Sequence, residues 1–372
     1  MKVLQLGKSY PPIKGGIETA ISNITEGLNE RNIRCDVLGS NSENIYCEQT
    51  IGQYKIYRTK SYGKIFSLSI SPQLINKYLL IKDNYDIIHV HFPDPLAVAA
   101  VFLARPKGII VVHWHSDIIR QRHLVKPFKF LIHWLLNRAD AIIASSVIYA
   151  KTSEYLRNFS NKTVIIPYGI KTSELKADED KVAAIRNLYK GKIIIYSLGR
   201  LVYYKGFDYL IEAAASLSDD YAILIGGDGP LLNKLGKTID QKRLADKVFL
   251  LGHINSSDMG SYYKACDVFC LPSTERSEAF GIALVEAMSF GKPLVTTNIP
   301  TGVSWVNQDS LTGLVVNPGN AAELSQAIKT ISTDKQLYHF FSDNCHKRYQ
   351  SLFSQDKMMD MIVSLYVDLL AR

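Results

Sequence analysis

Short β-prone runs alternate with amphipathic helical stretches along almost the whole chain, an order that predicts parallel sheets joined by crossover helices. The first group of expected strands is Val3 to Leu6, Arg34 to Leu38, Ile87 to His91, Ile109 to His113, Ala141 to Ala144 and Thr163 to Ile166. A second group restarts at Lys192 to Leu198 and continues with Ala222 to Ile225, Val248 to Leu250, Val268 to Leu271, Pro293 to Thr296 and Gly313 to Val316. Two doubly wound α/β domains in tandem account for both groups. The length agrees, since 372 residues is about two domains of ~150 residues each.

Between the groups lies PYGIKTSELKADEDK, Pro167 to Lys181, with a Pro, a Gly and a dense run of charge, and the linker is expected there. The expected domains are residues 1–170 and 171–354, followed by a terminal helix over 355–372. That helix carries Met358, Met361, Ile362, Leu365, Tyr366 and Leu369 at helical spacing and must lay an apolar face on something. No repeat of 20 to 50 residues suggests a solenoid.

The composition, 47% hydrophobic and 21% charged, excludes a disordered or collagenous chain. The longest uncharged stretches, Ile65 to Asn76 and Ala141 to Ala150, fall short of the ~18 apolar residues that span a bilayer. The start, MKVLQLGKSYPP, has too short an apolar run for a secretory signal. Five scattered cysteines, Cys35, Cys47, Cys266, Cys270 and Cys345, suggest buried thiols in a reducing cytoplasm rather than disulfides or a zinc site.

The net charge of +8 belongs to one half. Residues 1–170 hold 21 Lys and Arg against 12 Asp and Glu, and residues 171–372 hold 22 against 23. A basic half suggests an anionic partner: nucleic acid, a phospholipid surface or a phosphorylated substrate.

Chemistry in open α/β sheets sits on the loops that follow strands, where ligands bind. After the first strand, PPIKGGIE brings Gly15 and Gly16 to an apparent helix start, where backbone amides can approach a phosphate. The second half opens with IIIYSLGRLVYYKGF, which holds Arg200 and Lys205 over one loop. Two cations there suit a diphosphate and would stabilise charge building on a leaving group. GGDGP, Gly226 to Pro230, lacks the third glycine of a dinucleotide fingerprint, because Leu232 stands in its place. In PSTERSEAFGIALVEAMSFGKPLV, Glu278 falls in a loop and Glu286 in the second turn of a helix expected to start near Gly281. The intervening amides of Ala279, Phe280 and Gly281 would point at an anion.

Histidines also end two strands. His89, His91 and His113 read as a metal cluster or as core, hydrogen-bonded histidines. His115 follows its apolar run, beside Ser116 and Asp117, where a bound substrate can reach it.

These features together resemble the retaining glycosyltransferases of family 4, with the GT-B fold of two Rossmann-like domains facing across a cleft. The likeness spans nearly the whole chain and is most specific in EAFGIALVE, Glu278 to Glu286. It implies transfer of a hexose or deoxyhexose from a nucleoside diphosphate sugar, with retention, from a donor domain at 171–354 to an acceptor-side domain at 1–170. By the resemblance, Gly15 and Gly16 place amides against the diphosphate and sugar, while Arg200 and Lys205 neutralise the departing diphosphate. Glu278 binds sugar hydroxyls, Ala279, Phe280 and Gly281 offer amides, Glu286 grips the ribose, and His115 lies against sugar and phosphate. The base is expected around Gly252 to Ser257, and the terminal helix is expected to cross back to the first domain. No metal is implied. Asp178-Glu179-Asp180 is a D-x-D by spelling, yet it sits in the acidic linker and reads as solvated surface.

HVHFPDPLA, HSDIIRQR and IPTGVSWVNQ further resemble bacterial enzymes of O-antigen, capsule or exopolysaccharide synthesis, which implies a GDP-mannose or UDP-sugar donor and a polyprenyl-linked saccharide acceptor. The basic half then suits the inner face of the plasma membrane. Ile118 to Arg138 carries Arg120, Arg122, Lys126, Lys129 and Arg138 among Phe128, Phe130, Leu131, Trp134 and Leu135, which fits either an interfacial segment or a helix with one core face. Three rivals stand beside this reading: a nucleotide-dependent oxidoreductase, which would require an intact glycine fingerprint, a GT-B sugar-nucleotide epimerase or non-catalytic protein, and a nucleic-acid binder, for which no motif is present.

Overall fold

The computed structural model describes residues 1–13, 15–65, 68–118 and 128–372. The chain divides into two compact units, Met1–Tyr168 with Gln355–Arg372, and Gly169–Ser354.

In the first unit the order is β1 (Lys2–Leu6), α1 (Gly16–Glu30), β2 (Arg34–Ser40), β3 (Cys47–Ile51), β4 (Tyr54–Thr59), β5 (Lys64–Ile65), β6 (Leu68–Ser69), α2 (Pro72–Ile81), β7 (Ile87–Phe92), α3 (Pro95–Ala104) and β8 (Ile109–Trp114). α4 (Lys129–Arg138), β9 (Ala141–Ala144), α5 (Val147–Thr152) and β10 (Thr163–Ile165) complete the run. Eight strands form one sheet in the order β10-β9-β8-β7-β1-β2-β4-β3. All neighbours are parallel except β3, which returns antiparallel along β4. This hairpin and the small β5–β6 pair have no counterpart among the strands expected from the sequence. Every residue of β3 is exposed, Cys47 included, so one of the five thiols is not buried.

The second unit runs α6 (Glu179–Leu188), β11 (Ile193–Leu198), α7 (Phe207–Ala215), β12 (Tyr221–Gly226), α8 (Leu232–Gln241), β13 (Val248–Gly252), α9 (Ser256–Ala265), β14 (Val268–Leu271) and α10 (Ile282–Ser289). It continues with β15 (Leu294–Thr297), α11 (Val303–Val306), β16 (Gly313–Val316), α12 (Ala321–Thr333) and α13 (Lys335–Arg348). Its six strands are all parallel, in the order β13-β12-β11-β14-β15-β16. β11 and β12 are buried almost throughout because helices cover both faces, which is why they are continuous apolar runs rather than alternating ones.

The terminal helix α14 (Gln355–Leu370) belongs to the first unit, where Met358, Met359, Ile362, Leu365, Tyr366 and Leu369 join a core with Ile24 and Leu28 of α1 and Val3 of β1. The apolar stripe is turned slightly from the expected one: Met359 is fully buried and Met361 is 37% exposed. Burying Met359 and Ile362 contributes about 1.5–3 kcal/mol each.

Both sheets reverse their winding beside the first strand of the unit, at β1–β7 and at β11–β14. Loops after those strands are where an open α/β sheet presents a ligand site.

Candidate functional site

In the second unit, the loop after β11 is built against the GGDGP turn. Leu201 N donates to Asp228 O at 2.9 Å, Leu231 N donates to Leu201 O at 3.1 Å, and Gly199 N donates to Gly226 O at 3.1 Å. Gly227 holds φ of +128°, and a Cβ there would lie 1.9 Å from the Gly199 carbonyl oxygen. GGDGP is thus a buttress for the segment carrying Arg200, which accounts for its glycines without a dinucleotide. Gly227 N also donates to Gly252 O at 2.7 Å, tying the turn to the start of the loop expected to hold the base.

The loops after β11 and β14 meet at Gly206. Its φ of +70° caps α7, and a Cβ there would lie 2.0 Å from the Pro272 carbonyl oxygen. Thr274 N donates to Tyr204 O at 2.8 Å beside it. This contact brings Lys205 to Glu278, with Nζ 2.5 Å from Oε2 and both side chains nearly buried. Burial alone would draw the Lys205 ammonium down, but the Glu278 carboxylate more than reverses this and leaves it above its ordinary value. Ser273 Oγ donates to the same carboxylate oxygen at 3.3 Å.

Glu286 stands on α10, where Tyr263 OH of α9 donates to its Oε2 at 2.6 Å. Desolvation raises its carboxyl above the usual range, against the Tyr263 hydrogen bond and the Lys205 charge, which both lower it. Arg200 is exposed, and its guanidinium has no hydrogen bond or ion pair among the described residues. Of the two cations in the loop, Lys205 is matched internally and Arg200 is open to an arriving anion.

α10 starts at Ile282 behind Gly281, whose φ is +82°. Ala279 turns its carbonyl away to accept from Gly302 N at 2.8 Å, and Phe280 is buried against Trp305 and Phe353. The amides of Ala279 and Gly281 make no hydrogen bond among the described residues. They stand beside the positive end of the helix, a combination that suits an anion.

Gly15, Gly16 and His115 stand in the first unit. Gly15 caps α1 with extended backbone, and the Glu18 carboxylate approaches so closely that a Cβ on Gly15 would lie 2.2 Å from its Oε2. Gly16 has open space where a Cβ would be.

The four histidines at the ends of β7 and β8 form two hydrogen-bonded pairs stacked on each other. His89 Nε2 is 3.3 Å from His113 Nδ1, and His91 Nδ1 is 2.8 Å from His115 Nε2. His89 stacks on His91 at 4.7 Å between ring centroids, and His113 stacks on His115 at 4.3 Å. Tyr366 OH of α14 lies 2.5 Å from His89 Nδ1, Gln5 Oε1 lies 2.6 Å from His91 Nε2, and Tyr168 OH bonds His115 Nδ1. Burial pushes His89, His91 and His115 well below the ordinary imidazole range and His113 down to about 3, so the rings are neutral. Nitrogens of His89, His91 and His113 lie within 4.8 Å of one another, close enough to frame a metal. Yet all but one of these ring nitrogens is occupied by a neighbouring side chain, in keeping with hydrogen-bonded core histidines. The exception is His113 Nε2, which has no partner among the described residues. His115 is itself buried, at 5% exposure, with both nitrogens bonded inside its own unit.

Asp178 accepts from Lys181 N at 3.1 Å as the cap of α6, and Glu179 pairs with Lys264, so the D-x-D is an exposed helix start. Of the basic segment, Arg120, Arg122 and Lys126 lie outside the described residues. In the described part, α4 buries Ile132, Leu135 and Leu136 and leaves Phe130 66% exposed. No described helix is long and apolar enough to cross a membrane.

Sequence reasoning missed Tyr263, Ser273, Gln5 and Tyr168. Gln5 had a signal, as the lone amide in an apolar strand. The others are partners across the fold and carried none.

With fold and site in view, comparison with known proteins identifies the class. Residues 178–348 match the family described as glycosyl transferases group 1, and residues 14–174 match glycosyltransferase family 4. The chain belongs to these group 1, family 4 glycosyltransferases, nucleotide-sugar-dependent enzymes of the GT-B fold. It is 33% identical over 371 residues to O-antigen chain mannosyltransferase C of Escherichia coli, covering 100% of this chain and 99% of that one. It is 31% identical over 356 residues to D-rhamnosyltransferase WbpZ of Pseudomonas aeruginosa, covering 95% and 92%. Among solved structures, Anabaena Alr3699/HepE in complex with UDP superposes with a TM-score of 0.79 at 21% identity, covering 99% of this chain and 100% of that one.

Proposed function

We propose that this glycosyltransferase moves mannose or a related hexose or deoxyhexose from a nucleoside diphosphate sugar to a saccharide acceptor during synthesis of a bacterial surface polysaccharide, with retained anomeric configuration. The observation that carries the reading is the Lys205–Glu278 pair beside an unmatched Arg200 and the unpaired amides of Ala279 and Gly281. Arg200 and Lys205 neutralise the diphosphate as the glycosidic bond breaks, so charge moving onto the leaving group meets preorganised cations and amides. Glu278, held by Lys205 and Ser273, accepts from sugar hydroxyls and orients the anomeric carbon. Glu286, held by Tyr263, accepts from the ribose hydroxyls. Gly15 and Gly16 bring amides to the diphosphate and sugar, and His115 meets the sugar. This scheme places the compensating charge on side chains and amides and uses no divalent ion.

The names of the two relatives support mannose or a deoxyhexose as the sugar transferred, and the HepE complex with UDP supports a nucleoside diphosphate at this fold, so GDP-mannose and UDP-sugars are the donors to test first. A lipid-linked acceptor at the inner face of the plasma membrane fits the basic residues 1–170 and the exposed Phe128 and Phe130. Flotation with anionic vesicles tests this attachment, and absence of binding at low salt would sink it.

The decisive assay offers purified protein a panel of labelled nucleoside diphosphate sugars with a lipid acceptor extract. One donor should release its nucleoside diphosphate only when the extract is present, and the product anomer, read by NMR, should match the donor. Release without acceptor dependence, or an inverted anomer, contradicts the proposal.

A further inference from the structure

α11 is a single turn, Val303–Val306, so nearly all its backbone groups are terminal and do little to hold one another in place. Both of its ends are fixed from outside. At the start, Gly302 N donates to Ala279 O at 2.8 Å, and a Cβ on Gly302 would lie 2.8 Å from that oxygen and 2.8 Å from the Phe280 ring. At the end stands Arg348, the last residue of α13. It donates from Nη2 to Trp305 O at 2.7 Å, from Nε to Val306 O at 3.2 Å and from Nη1 to Gln308 Oε1 at 3.1 Å. A helix end leaves such carbonyls without partners, and here the planar fork of one distant side chain meets two of them at once.

The same guanidinium lies over two rings, 5.4 Å from the Trp305 centroid and 5.5 Å from that of Phe353. Both rings pack on the buried Phe280, with centroids 6.5 Å and 6.1 Å from its own. Phe353 is tied down in turn by Ile170 N, which donates to its carbonyl at 3.0 Å. No carboxylate pairs with Arg348 among the described residues, and burial pulls its guanidinium below the ordinary value.

The consequence falls on one peptide. The C=O and N–H of a trans peptide lie in one plane and point opposite ways, so anchoring Ala279 O on Gly302 N and enclosing the Phe280 ring fixes the plane between these two residues. The amides of Ala279 and Gly281 flank that plane and make no hydrogen bond among the described residues. Their aim depends on α11, and through it on Arg348.

We propose that Arg348 is a positioning residue for sugar transfer: it caps α11 and packs Trp305 and Phe353 around Phe280, so that the amides of Ala279 and Gly281 stay aimed at the diphosphate of the donor. This rests on the reading that those amides meet the diphosphate. Each of the three guanidinium nitrogens is engaged by the chain itself, so Arg348 acts through the loop rather than on the donor. The effect is felt most as charge builds on the leaving group, because preorganised donors stabilise that charge only when correctly aimed.

Two variants of the full-length protein test the proposal, each at a temperature where circular dichroism shows it folded. Arg348→Met removes the charge and the fork, and Arg348→Lys keeps the charge without the fork. In proton–nitrogen correlation spectra the Ala279 and Gly281 amides of the unaltered protein should move on addition of GDP or UDP, and the movement should shrink in both variants. With the lipid acceptor extract and GDP-mannose, or UDP-glucose if that is the donor turned over, kcat of Arg348→Met should fall at least about tenfold, by a larger factor than donor KM rises. Arg348→Lys should recover only part of the loss, and it decides the matter if Arg348→Met does not fold. Amides that move equally in the unaltered protein and the variants, with kcat unchanged, would show that Arg348 serves stability alone and overturn the positioning role. Amides that move with neither nucleotide in the unaltered protein would sink the reading of residues 279–281 as a donor contact, and the role of Arg348 with it.

Discussion

Lys205 and Glu278 lie on loops after different strands, β11 and β14, yet their charged atoms are 2.5 Å apart because Gly206 lets the first loop press against the Pro272 carbonyl. The pair holds Glu278 before any ligand arrives. It also matches the charge of one of the two cations of the loop, while Arg200 keeps no hydrogen bond or ion pair among the described residues.

Removing one partner strands the other charge in a nearly dry site. Lys205→Met is expected to destabilise the protein by about 1–3 kcal/mol, below the range for a fully buried pair because both side chains keep some solvent contact. Lys205→Met with Glu278→Gln should recover most of that loss in urea unfolding while transfer stays at least about 100-fold down. Recovery of transfer along with stability would show that the pair serves only the fold.

Tyr263 gives a prediction with a pH sign. The raised Glu286 carboxyl means the folded protein holds that proton more tightly than the unfolded chain, so this group favours folding at low pH and the contribution is lost as pH rises through the folded value. Tyr263→Phe removes a hydrogen bond that lowers the folded value. Its cost should therefore be larger at pH 8, where the carboxylate is charged and loses about 1.5–3 kcal/mol of hydrogen bonding, than at pH 4.5. Urea unfolding at the two pH values checks it, and an equal cost at both would contradict a buried ionised Glu286.

The histidine pairs act in the opposite direction. Their folded values lie below the unfolded one, so the unfolded chain takes up protons first and stability falls as pH drops below the ordinary imidazole value near 6.5. Each histidine adds about 1.4 kcal/mol per pH unit in that window. Asp94, raised to about 6 by burial, offsets one of them only as pH falls below about 6 towards the ordinary aspartate value of ~4. Chemical denaturation between pH 7 and pH 5 should show a steep loss, and a flat profile would mean the rings are charged or open to solvent in the native protein.

The repeated strand and helix order was legible because buried parallel strands must be apolar along their length, as Ile193–Leu198 and Tyr221–Gly226 are. β3 was illegible for the same reason in reverse: with all five residues exposed it has no buried face and writes no alternation into Cys47–Ile51. In the site, Glu278 and Glu286 were found because a loop and the helix behind it fall within one short segment. The partner of each came from elsewhere in the chain, Lys205 through a loop contact and Tyr263 from the helix α9, and no local pattern encodes such meetings. The i, i+2 histidines announced a shared strand face, but only the parallel register of β7 and β8, with His91 opposite His113, makes two hydrogen-bonded pairs of them.

Glycines of the second unit separate a buttress from a passive position. Gly227 has a positive φ and a Cβ there would overlap the Gly199 carbonyl at 1.9 Å, so Gly227→Ala must push the Arg200 loop away from the GGDGP turn. Loss of stability of about 2 kcal/mol or more is expected, from backbone strain and the broken contact together. Donor KM should rise with it, because Arg200 moves. Gly236 lies inside α8, where the nearest atom to a new Cβ is 4.0 Å away. There alanine removes the entropic cost of a helical glycine, and Gly236→Ala should stabilise by about 0.5–1 kcal/mol with transfer unchanged. Thermal unfolding and donor titration of the two variants side by side supply the check: a Gly227→Ala protein with normal stability and normal donor KM would mean the GGDGP turn does not hold the Arg200 loop in place.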